Sequence, residues 1–164
     1  MHDCGDCPLT DRRGFLAGAL GAAAATAGLF WPAGAHGVTI RFAEARRRVG
    51  NTLVYPVPQV DGATIDRDAN VILARDGGFV YAFARRCPHQ NTALRWRAKD
   101  NRFQCPKHKS KYEPDGTFIS GRATRGMDRH PIRLQGGDVV IDTSQLFKED
   151  EDPAAWNAAR AALG

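Results

Sequence analysis

The fold and the function of this chain depend on two short stretches, CPHQNT at residues 87–92 and CPKHKS at residues 105–110. Each stretch begins with Cys-Pro and places a histidine two or three positions after the cysteine. Thiolates and imidazoles are the side chains that bind soft and borderline metal ions. The two stretches therefore predict a metal centre with two sulfur and two nitrogen ligands: Cys87, His89, Cys105 and His108.

Two kinds of metal centre take this ligand set. One is structural zinc, which Cys₂His₂ binds tetrahedrally, and the other is a [2Fe–2S] cluster with two histidines on one iron. The order of the ligands favours the cluster, because each stretch supplies one cysteine and one histidine, whereas zinc fingers keep their cysteines together and their histidines together. Pro88 and Pro106 follow the cysteines directly and predict loops rather than helices.

The pattern C-x-H followed by C-x-x-H resembles the signature of Rieske iron–sulfur proteins, and the likeness extends over about residues 38–143. The resemblance implies an all-β fold: an antiparallel β-sandwich with an inserted cluster-binding subdomain at about 82–124. It implies that the two cysteines hold the buried iron and the two histidines hold the outer, solvent-facing iron. Ser110 and Tyr112 fall on the family positions that donate hydrogen bonds to the cluster, and GRATRG (121–126) resembles the segment that closes over it.

The residues after Val38 read as β-structure independently of that resemblance. Short runs rich in β-branched and aromatic residues alternate with turn residues. NVILAR and GFVYAFA, joined at Asp76-Gly77, give the strongest hairpin signal. The predicted strands are VTIRFA (38–43), TLVYPV (52–57), NVILAR (70–75), GFVYAFA (78–84), TFI (117–119), PIRLQ (131–135) and DVVID (138–142).

Residues 1–37 have a different composition. TDRRGFL (10–16) resembles the twin-arginine export motif, with Arg12 and Arg13 as the recognised pair. An apolar stretch rich in Ala and Gly follows, and it is interpreted as an N-terminal transmembrane helix that is retained as an anchor. The alternatives are a signal cleaved at the small residues Ala33-Gly34-Ala35 and a buried Ala-rich helix of the domain. Cys4 and Cys7 precede the arginines and are interpreted as incidental reduced thiols.

The remaining chain divides into a Rieske domain at 38–147 and an acidic tail at 148–164. The tail begins with KEDED and continues as PAAWNAARAAL, in which Pro153 suits the first position of a short helix. Two interpretations are open for this tail. In one, Trp156 packs the helix onto the sheet or a partner; in the other, the tail is solvated and loosely attached.

The chain departs from the Rieske proteins of quinol:cytochrome c reductases at three positions. Thr92 and Lys107 occupy the sites where those proteins carry two further cysteines, so the disulfide that braces their loops is excluded. Gln90 replaces an apolar leucine at the tip of the first loop. Because Lys107 and Lys109 flank His108, the tip is polar and basic, which indicates an acidic, soluble partner.

These observations predict a one-electron carrier, an electron-transfer subunit rather than an enzyme by itself. The first interpretation is the iron–sulfur subunit of a membrane-associated quinol:cytochrome c type oxidoreductase, with cytochrome b or a c-type cytochrome as partner. The alternative is a small Rieske subunit of, or electron carrier for, another periplasmic oxidoreductase, and a zinc-stabilised binding module is the remote one. We expect the periplasmic side of the cell membrane, reached by twin-arginine export. The net charge of +5 is not concentrated in an aromatic-rich basic run, so no nucleic-acid partner is expected.

Overall fold

A computed structural model describes residues 41–42, 44–45 and 47–164. The predicted export signal, the anchor and the thiols Cys4 and Cys7 lie outside these residues. Within the described part of the chain, no helix has the length and apolar character needed to cross a bilayer.

The described residues form thirteen β-strands, one short α-helix and one turn of 3₁₀-helix at Ala98–Asp100. The strands are β1 (Arg41–Phe42), β2 (Arg47–Val49), β3 (Thr52–Pro56), β4 (Gly62–Asp66), β5 (Val71–Asp76), β6 (Phe79–Ala84), β7 (Arg95–Arg97), β8 (Arg102–Gln104), β9 (Lys111–Tyr112), β10 (Phe118–Ser120), β11 (Ile132–Gln135), β12 (Asp138–Asp142) and β13 (Ala161–Ala162), and the α-helix is α1 (Pro153–Ala158).

The strands belong to three sheets, with orders β1-β4-β5-β6-β13, β11-β12-β3-β2 and β10-β9-β8-β7. All described strand pairs are antiparallel except β1–β4, which is parallel. The predicted all-β class and the predicted hairpin are confirmed: β5 and β6 pair from Val71–Ala84 to Asp76–Phe79. The turn between them uses Gly77 and Gly78, both at positive φ, which only glycine adopts without strain.

The first two sheets pack face to face as a sandwich. Their shared core combines side chains of β3 and β12 with alternate residues of the hairpin: Leu53, Tyr55, Val71, Leu73, Val80, Ala82, Val139 and Ile141. Alternation of inward side chains along a strand is the ordinary result of the two-residue period of β-structure. We call this group of residues the base core.

The other side chains of the β5–β6 hairpin belong to a second core, which also contains both cysteines of the predicted site. Its buried members include Ile72, Ala74, Tyr81, Phe83, Cys87, Leu94, Trp96, Phe103, Cys105, Tyr112 and Met127. We call it the cluster core. The middle sheet is thus covered on both faces, which explains why VILA and FVYAFA are continuous apolar runs instead of alternating ones.

The small sheet β7–β10 supports the second loop and packs through one face only. Trp96 pairs with Phe103, and Phe103 pairs with Tyr112, so the three aromatic side chains lie side by side on the buried face. The Trp96 and Phe103 rings are 4.7 Å apart between centroids. Their neighbours Arg95 and Lys111 lie on the opposite face, which is the more exposed one.

The segment after Phe147 packs onto the domain through α1 and β13. Asp152 caps α1 by accepting a hydrogen bond from the Ala155 N–H, and Pro153 occupies the first turn. Trp156 is buried and donates its indole N–H to the Met127 carbonyl at 2.7 Å. The Arg129 guanidinium stacks on the Trp156 ring, 3.5 Å from its centroid, and donates to the Trp156 carbonyl. The helix is therefore held by stacking and by hydrogen bonds.

Candidate metal centre

The two Cys-Pro stretches fold into loops of the same construction. In the first loop (87–92) and in the second loop (105–110), the cysteine N–H donates to the carbonyl of the last residue, at 2.9 and 2.8 Å. In each loop the cysteine carbonyl accepts from the N–H four positions later, at 2.8 and 3.0 Å. That fourth position is left-handed in both: φ is 53° at Asn91 and 57° at Lys109. The two ligand loops thus have the same backbone hydrogen bonds and the same backbone conformation.

The two thiols lie in the cluster core. Cys87 follows β6 and Cys105 follows β8; each is 1 % exposed, and both are free thiols. Burial alone raises the pKa of Cys105, but backbone N–H groups of His108 and Lys107 and the side chains of Cys87 and Thr92 donate to its sulfur and lower that pKa overall. Hydrogen bonds to sulfur favour the thiolate, which is the form that binds a metal.

The two imidazoles lie at the half-exposed ends of the same loops. The Nδ1 atoms of His89 and His108 are 3.2 Å apart, and the ring centroids are 4.9 Å apart. Two metal–nitrogen bonds of about 2 Å each can meet across that separation. Desolvation lowers the pKa of His108, and the positive charges of Arg122, His89 and Lys107 lower it further. The neutral imidazole, which is the ligand form, is therefore favoured.

Tyr112 is fully buried and reaches the thiol of Cys87. Its hydroxyl lies 3.3 Å from the Cys87 sulfur. Burial raises the pKa of Tyr112, and the hydrogen bond to Cys87 raises it further. The phenol therefore keeps its proton, and it acts as the donor when the thiol is ionised.

Ser110 is also fully buried, at the end of the second loop. Its Oγ accepts hydrogen bonds from the backbone N–H groups of Arg122 and Ala123, each at 3.1 Å. A hydroxyl has one proton to donate, and both of these contacts use it as an acceptor, so that proton can be donated to the nearby Tyr112 hydroxyl or to a sulfur of a bound cluster. Gly121, at φ 120°, makes this approach possible, because a Cβ there would lie 2.4 Å from the Ser110 Cα.

The structure thus brings the six sequence-predicted residues into one region: a buried thiol pair with a tyrosine hydroxyl on it, a half-exposed imidazole pair, and a buried serine hydroxyl. No three His, Cys, Asp or Glu side chains of the described residues form a group suited to one metal ion. A two-iron cluster takes two protein ligands on each iron and completes each iron with sulfide, so a thiol pair and an imidazole pair fit it.

Sequence reasoning missed two contributors to this region. Gly121 was seen only as part of a closing segment, and Thr92 only as the replacement for a cysteine. The available signal for Gly121 was a glycine directly after a predicted strand, where a close backbone approach is common. No sequence signal identifies the two N–H donors that hold Ser110, because backbone donors are set by the path of the chain.

Comparison with known proteins supports the same assignment. The Rieske [2Fe–2S] domain family matches residues 52–133, half of the chain. The cytochrome b6-f complex iron-sulfur subunit of Chlorobaculum tepidum is 28% identical over 142 residues, covering 80% of this chain and 75% of that protein. Its counterpart in Chlorobaculum thiosulfatiphilum is 31% identical over 71 residues, and there the aligned region is 43% of this chain and 39% of the relative.

A second class of relatives is smaller. The ferredoxin subunit of 3-phenylpropionate/cinnamic acid dioxygenase from Escherichia coli K12 is 29% identical over 92 residues, covering 54% of this chain and 87% of that protein. Of the two centres compatible with the ligand set, the family match selects the Rieske-type [2Fe–2S] cluster over zinc, and the chain belongs to the Rieske [2Fe–2S] family.

Proposed function

We propose that this chain is the iron–sulfur subunit of a membrane-associated quinol:cytochrome c type oxidoreductase. Cys87 and Cys105 would hold the inner iron, and His89 and His108 the outer one. When bound, the cluster supplies reversible one-electron oxidation and reduction. The observation that carries the proposal is the segregation of the ligands, because the thiols are buried while the imidazoles lie at the half-exposed end.

The imidazole pair is placed to meet a redox partner. Since the two Nδ1 atoms face each other at 3.2 Å, each Nε2 atom lies on the far side of its ring. An Nε2–H in that position can donate a hydrogen bond to an oxygen of a docked quinol, and it can hold or release the proton there. Ser110 and Tyr112 would donate to the sulfur atoms and favour the more negative, reduced state.

The cellular setting is part of the proposal. The twin-arginine motif at 10–16 and the apolar stretch behind it support export followed by anchoring, with the domain on the periplasmic side of the cell membrane. The relative whose alignment covers 80% of this chain is the iron-sulfur subunit of a cytochrome b6-f complex, which supports cytochrome b and a c-type cytochrome as the redox partners.

A second function remains a candidate because of the loop tips. Gln90 is an exposed polar residue where an apolar tip would suit a quinol site, and Thr92 and Lys107 leave the loops without a bracing disulfide. These features favour a small Rieske subunit of, or an electron carrier for, another periplasmic oxidoreductase. The similarity to a dioxygenase ferredoxin subunit points in the same direction.

Purification of the tagged full chain from detergent-solubilised membranes of its own organism tests the proposal. We expect iron and acid-labile sulfide in equal amounts, a reduced electron paramagnetic resonance signal of low average g, and a co-purifying b-type haem. A matched variant, His108→Ala, should lack the iron–sulfur signal. A preparation with the cluster but with a haem-free oxidoreductase as its companion would overturn the quinol-linked function and select the second candidate.

A further inference from the structure

Positive charge is concentrated in the part of the molecule that carries the metal ligands. The region 82–124 contains ten of the 23 Lys and Arg residues of the chain but only three of its 18 Asp and Glu residues. The remaining 121 residues or so are therefore slightly acidic. Such an asymmetry says nothing about folding, but it creates a directed field that selects and steers partners.

Three of these cations lie beside the half-exposed His108 and its loop. Lys107 and Lys109 are exposed and directly flank His108. Arg122 is exposed as well, and its backbone N–H is tied to the Ser110 hydroxyl at 3.1 Å, which fixes its position beside the second loop. We call these three residues, together with the tip of the first loop at Gln90 and Asn91, the histidine face.

The charges of the histidine face are not neutralised from within the domain. In the described part of the chain, no acidic side chain forms an ion pair with Lys107, Lys109 or Arg122. By contrast, Asp100 pairs with Arg97 and Arg102 on the small sheet, so basic residues there are partly compensated.

The positive surface continues along the outer face of the small sheet. Arg95 is paired with Gln104, and Gln104 with Lys111, so these three side chains form a row on one face. The two ligand loops carry no large exposed apolar side chain. Among the described residues, such side chains are found at Val49, Val60, Ile119, Leu134 and Leu146. The positive surface fits a hydrated, transient contact better than a permanent apolar one.

We propose that the histidine face is the docking surface for an acidic, soluble one-electron acceptor protein. The proposal rests on the proposed electron-transfer function and names the partner of that site. The partner is the oxidant of the exchange: it gains one electron, the iron–sulfur protein loses one, and no atom is transferred. Acidic groups around the partner's cofactor would meet the three cations, so the two redox centres would be brought together by charge.

Binding and electron transfer to cytochromes of opposite charge test the proposal on the full chain with its cluster. The probes are an acidic bacterial c-type cytochrome and a basic mitochondrial one. For the acidic probe we expect a measurable dissociation constant by titration calorimetry at low salt, and a stopped-flow rate that falls as salt is added. For the basic probe the rate should rise with salt, because the screening of repulsion helps it.

The triple variant Lys107→Gln, Lys109→Gln and Arg122→Gln should bind the acidic probe at least about tenfold more weakly and react about tenfold more slowly, the lower end of the range for steered association. The matched control is Arg47→Gln, Arg48→Gln and Arg133→Gln. It removes the same net charge from exposed positions on β2 and β11, the two outer strands of the sandwich sheet. The control should keep most of the binding and most of the rate.

The outcomes separate this inference from the function on which it rests. Equal rates with both cytochromes, or equal losses in both triple variants, would overturn the docking surface while leaving electron transfer intact. A chain that carries no reducible cluster would instead overturn the function. Vesicles of phosphatidylcholine with phosphatidylglycerol provide the third arm. The full chain would bind these vesicles, the first triple variant would lose that binding, and the control variant would keep it, if the face contacted a membrane surface. That result, together with no charge preference among the cytochromes, would overturn the acidic protein partner.

Discussion

Single hydrogen bonds to sulfur are the features of this protein whose effects are easiest to isolate. The Tyr112 hydroxyl contacts the Cys87 sulfur, and we expect Tyr112→Phe to keep the cluster but lower its reduction potential. Losing about 1 kcal/mol of preference for the reduced state corresponds to roughly 40 mV in a one-electron couple. Redox titration by electron paramagnetic resonance measures the change.

Tyr55→Phe is the control for that prediction. Tyr55 is as buried as Tyr112, but its hydroxyl donates to Asp66, at 2.9 Å, on the base-core side. We expect this variant to lose some stability without any change in the potential. An unchanged potential in Tyr112→Phe would mean that the hydroxyl does not act on the ligand sulfur.

The stability of the domain should depend on pH through His130. This side chain is buried, and its Nδ1 lies 2.8 Å from the Gln145 carbonyl. Burial lowers the pKa of His130, while the Gln145 carbonyl, Asp128 and Asp142 oppose that shift. Since the unfolded chain then binds more protons than the folded one, stability is complete above about pH 6.5 and falls as the pH decreases towards the folded pKa.

Denaturant unfolding at pH 7 and pH 5.5 measures this dependence. We expect His130→Asn, whose amide can still donate to the Gln145 carbonyl, to show a flatter pH dependence over that interval, the limiting slope for one group being about 1.4 kcal/mol per pH unit. Parallel pH profiles for the variant and the natural protein would assign the dependence to other groups. Cluster absorbance monitored in the same samples separates unfolding from cluster loss.

At the scale of elements, the segment after β10 is predicted to hold Ser110 of the second loop in position. A Cβ at Gly121 would lie 2.4 Å from the Ser110 Cα, and the residue has a φ of 120°. We expect Gly121→Ala to displace Ser110 and to reduce cluster content, because neither backbone can move aside cheaply. Iron and sulfide analysis of the purified variant measures the loss.

Gly137→Ala is the matched variant. Gly137 has a φ of 80°, which also strains a side chain, but a Cβ there meets nothing within 4 Å. It lies in the turn between β11 and β12, away from the ligand loops. Stability should fall in this variant while the iron content remains normal. If both variants lose iron equally, general destabilisation rather than the contact with Ser110 is the cause.

The helix α1 is predicted to contribute strongly to stability through one residue. Trp156 is 3 % exposed and combines the Arg129 stacking with the hydrogen bond to Met127. Trp156→Ala should cost about 3–5 kcal/mol, the usual range for a buried aromatic residue. Burial also lowers the pKa of Arg129 to about 10, so loss of the ring would expose a guanidinium that the fold has partly desolvated. Urea unfolding measures this change, and Asn157→Ala, on the exposed side of α1, should lie within about 0.5 kcal/mol of the natural protein.

How far the elements can be predicted depends on how they are buried. The hairpin β5–β6 was predicted because its apolar runs are long and its turn contains two glycines. Strands β7, β8 and β9 were not predicted from the sequence. RWR, RFQ and KY carry one inward aromatic residue each and are too short to show an alternation of apolar and polar residues. Their pairing depends on tertiary contacts, in which Trp96, Phe103 and Tyr112 lie in a row.

The candidate site was more predictable than the strands that support it. Ligand spacing is encoded locally, so the four ligands and the two hydroxyl residues could be named from the sequence and are found in one region. Their supports come from distant positions in the chain. Nothing near Arg129 in the sequence indicates that its guanidinium would stack on Trp156, 27 positions later, and donate to the Asp115 carbonyl at 2.6 Å.

At the scale of the whole molecule, the two cores should respond differently to loss of the cluster. The base core contains none of the predicted ligands, whereas the cluster core contains both cysteines. We expect removal of iron by a chelator to abolish amide protection at residues 87–123 and to leave protection in β3 and β12. Hydrogen exchange followed by mass spectrometry measures both regions in one sample. Loss of protection in β3 and β12 as well would mean that the domain folds only around its metal.

The β5–β6 hairpin also has a consequence for how related sequences can change. Its odd-numbered residues in β5, Val71 and Leu73, belong to one core, and the even-numbered Ile72 and Ala74 to the other. Neighbouring residues of β5 are therefore subject to separate packing constraints. In an alignment of relatives, substitutions at 71 and 73 should accompany those in β3 and β12, and substitutions at 72 and 74 should accompany those in residues 94–112. One strand would thus carry two interleaved evolutionary histories.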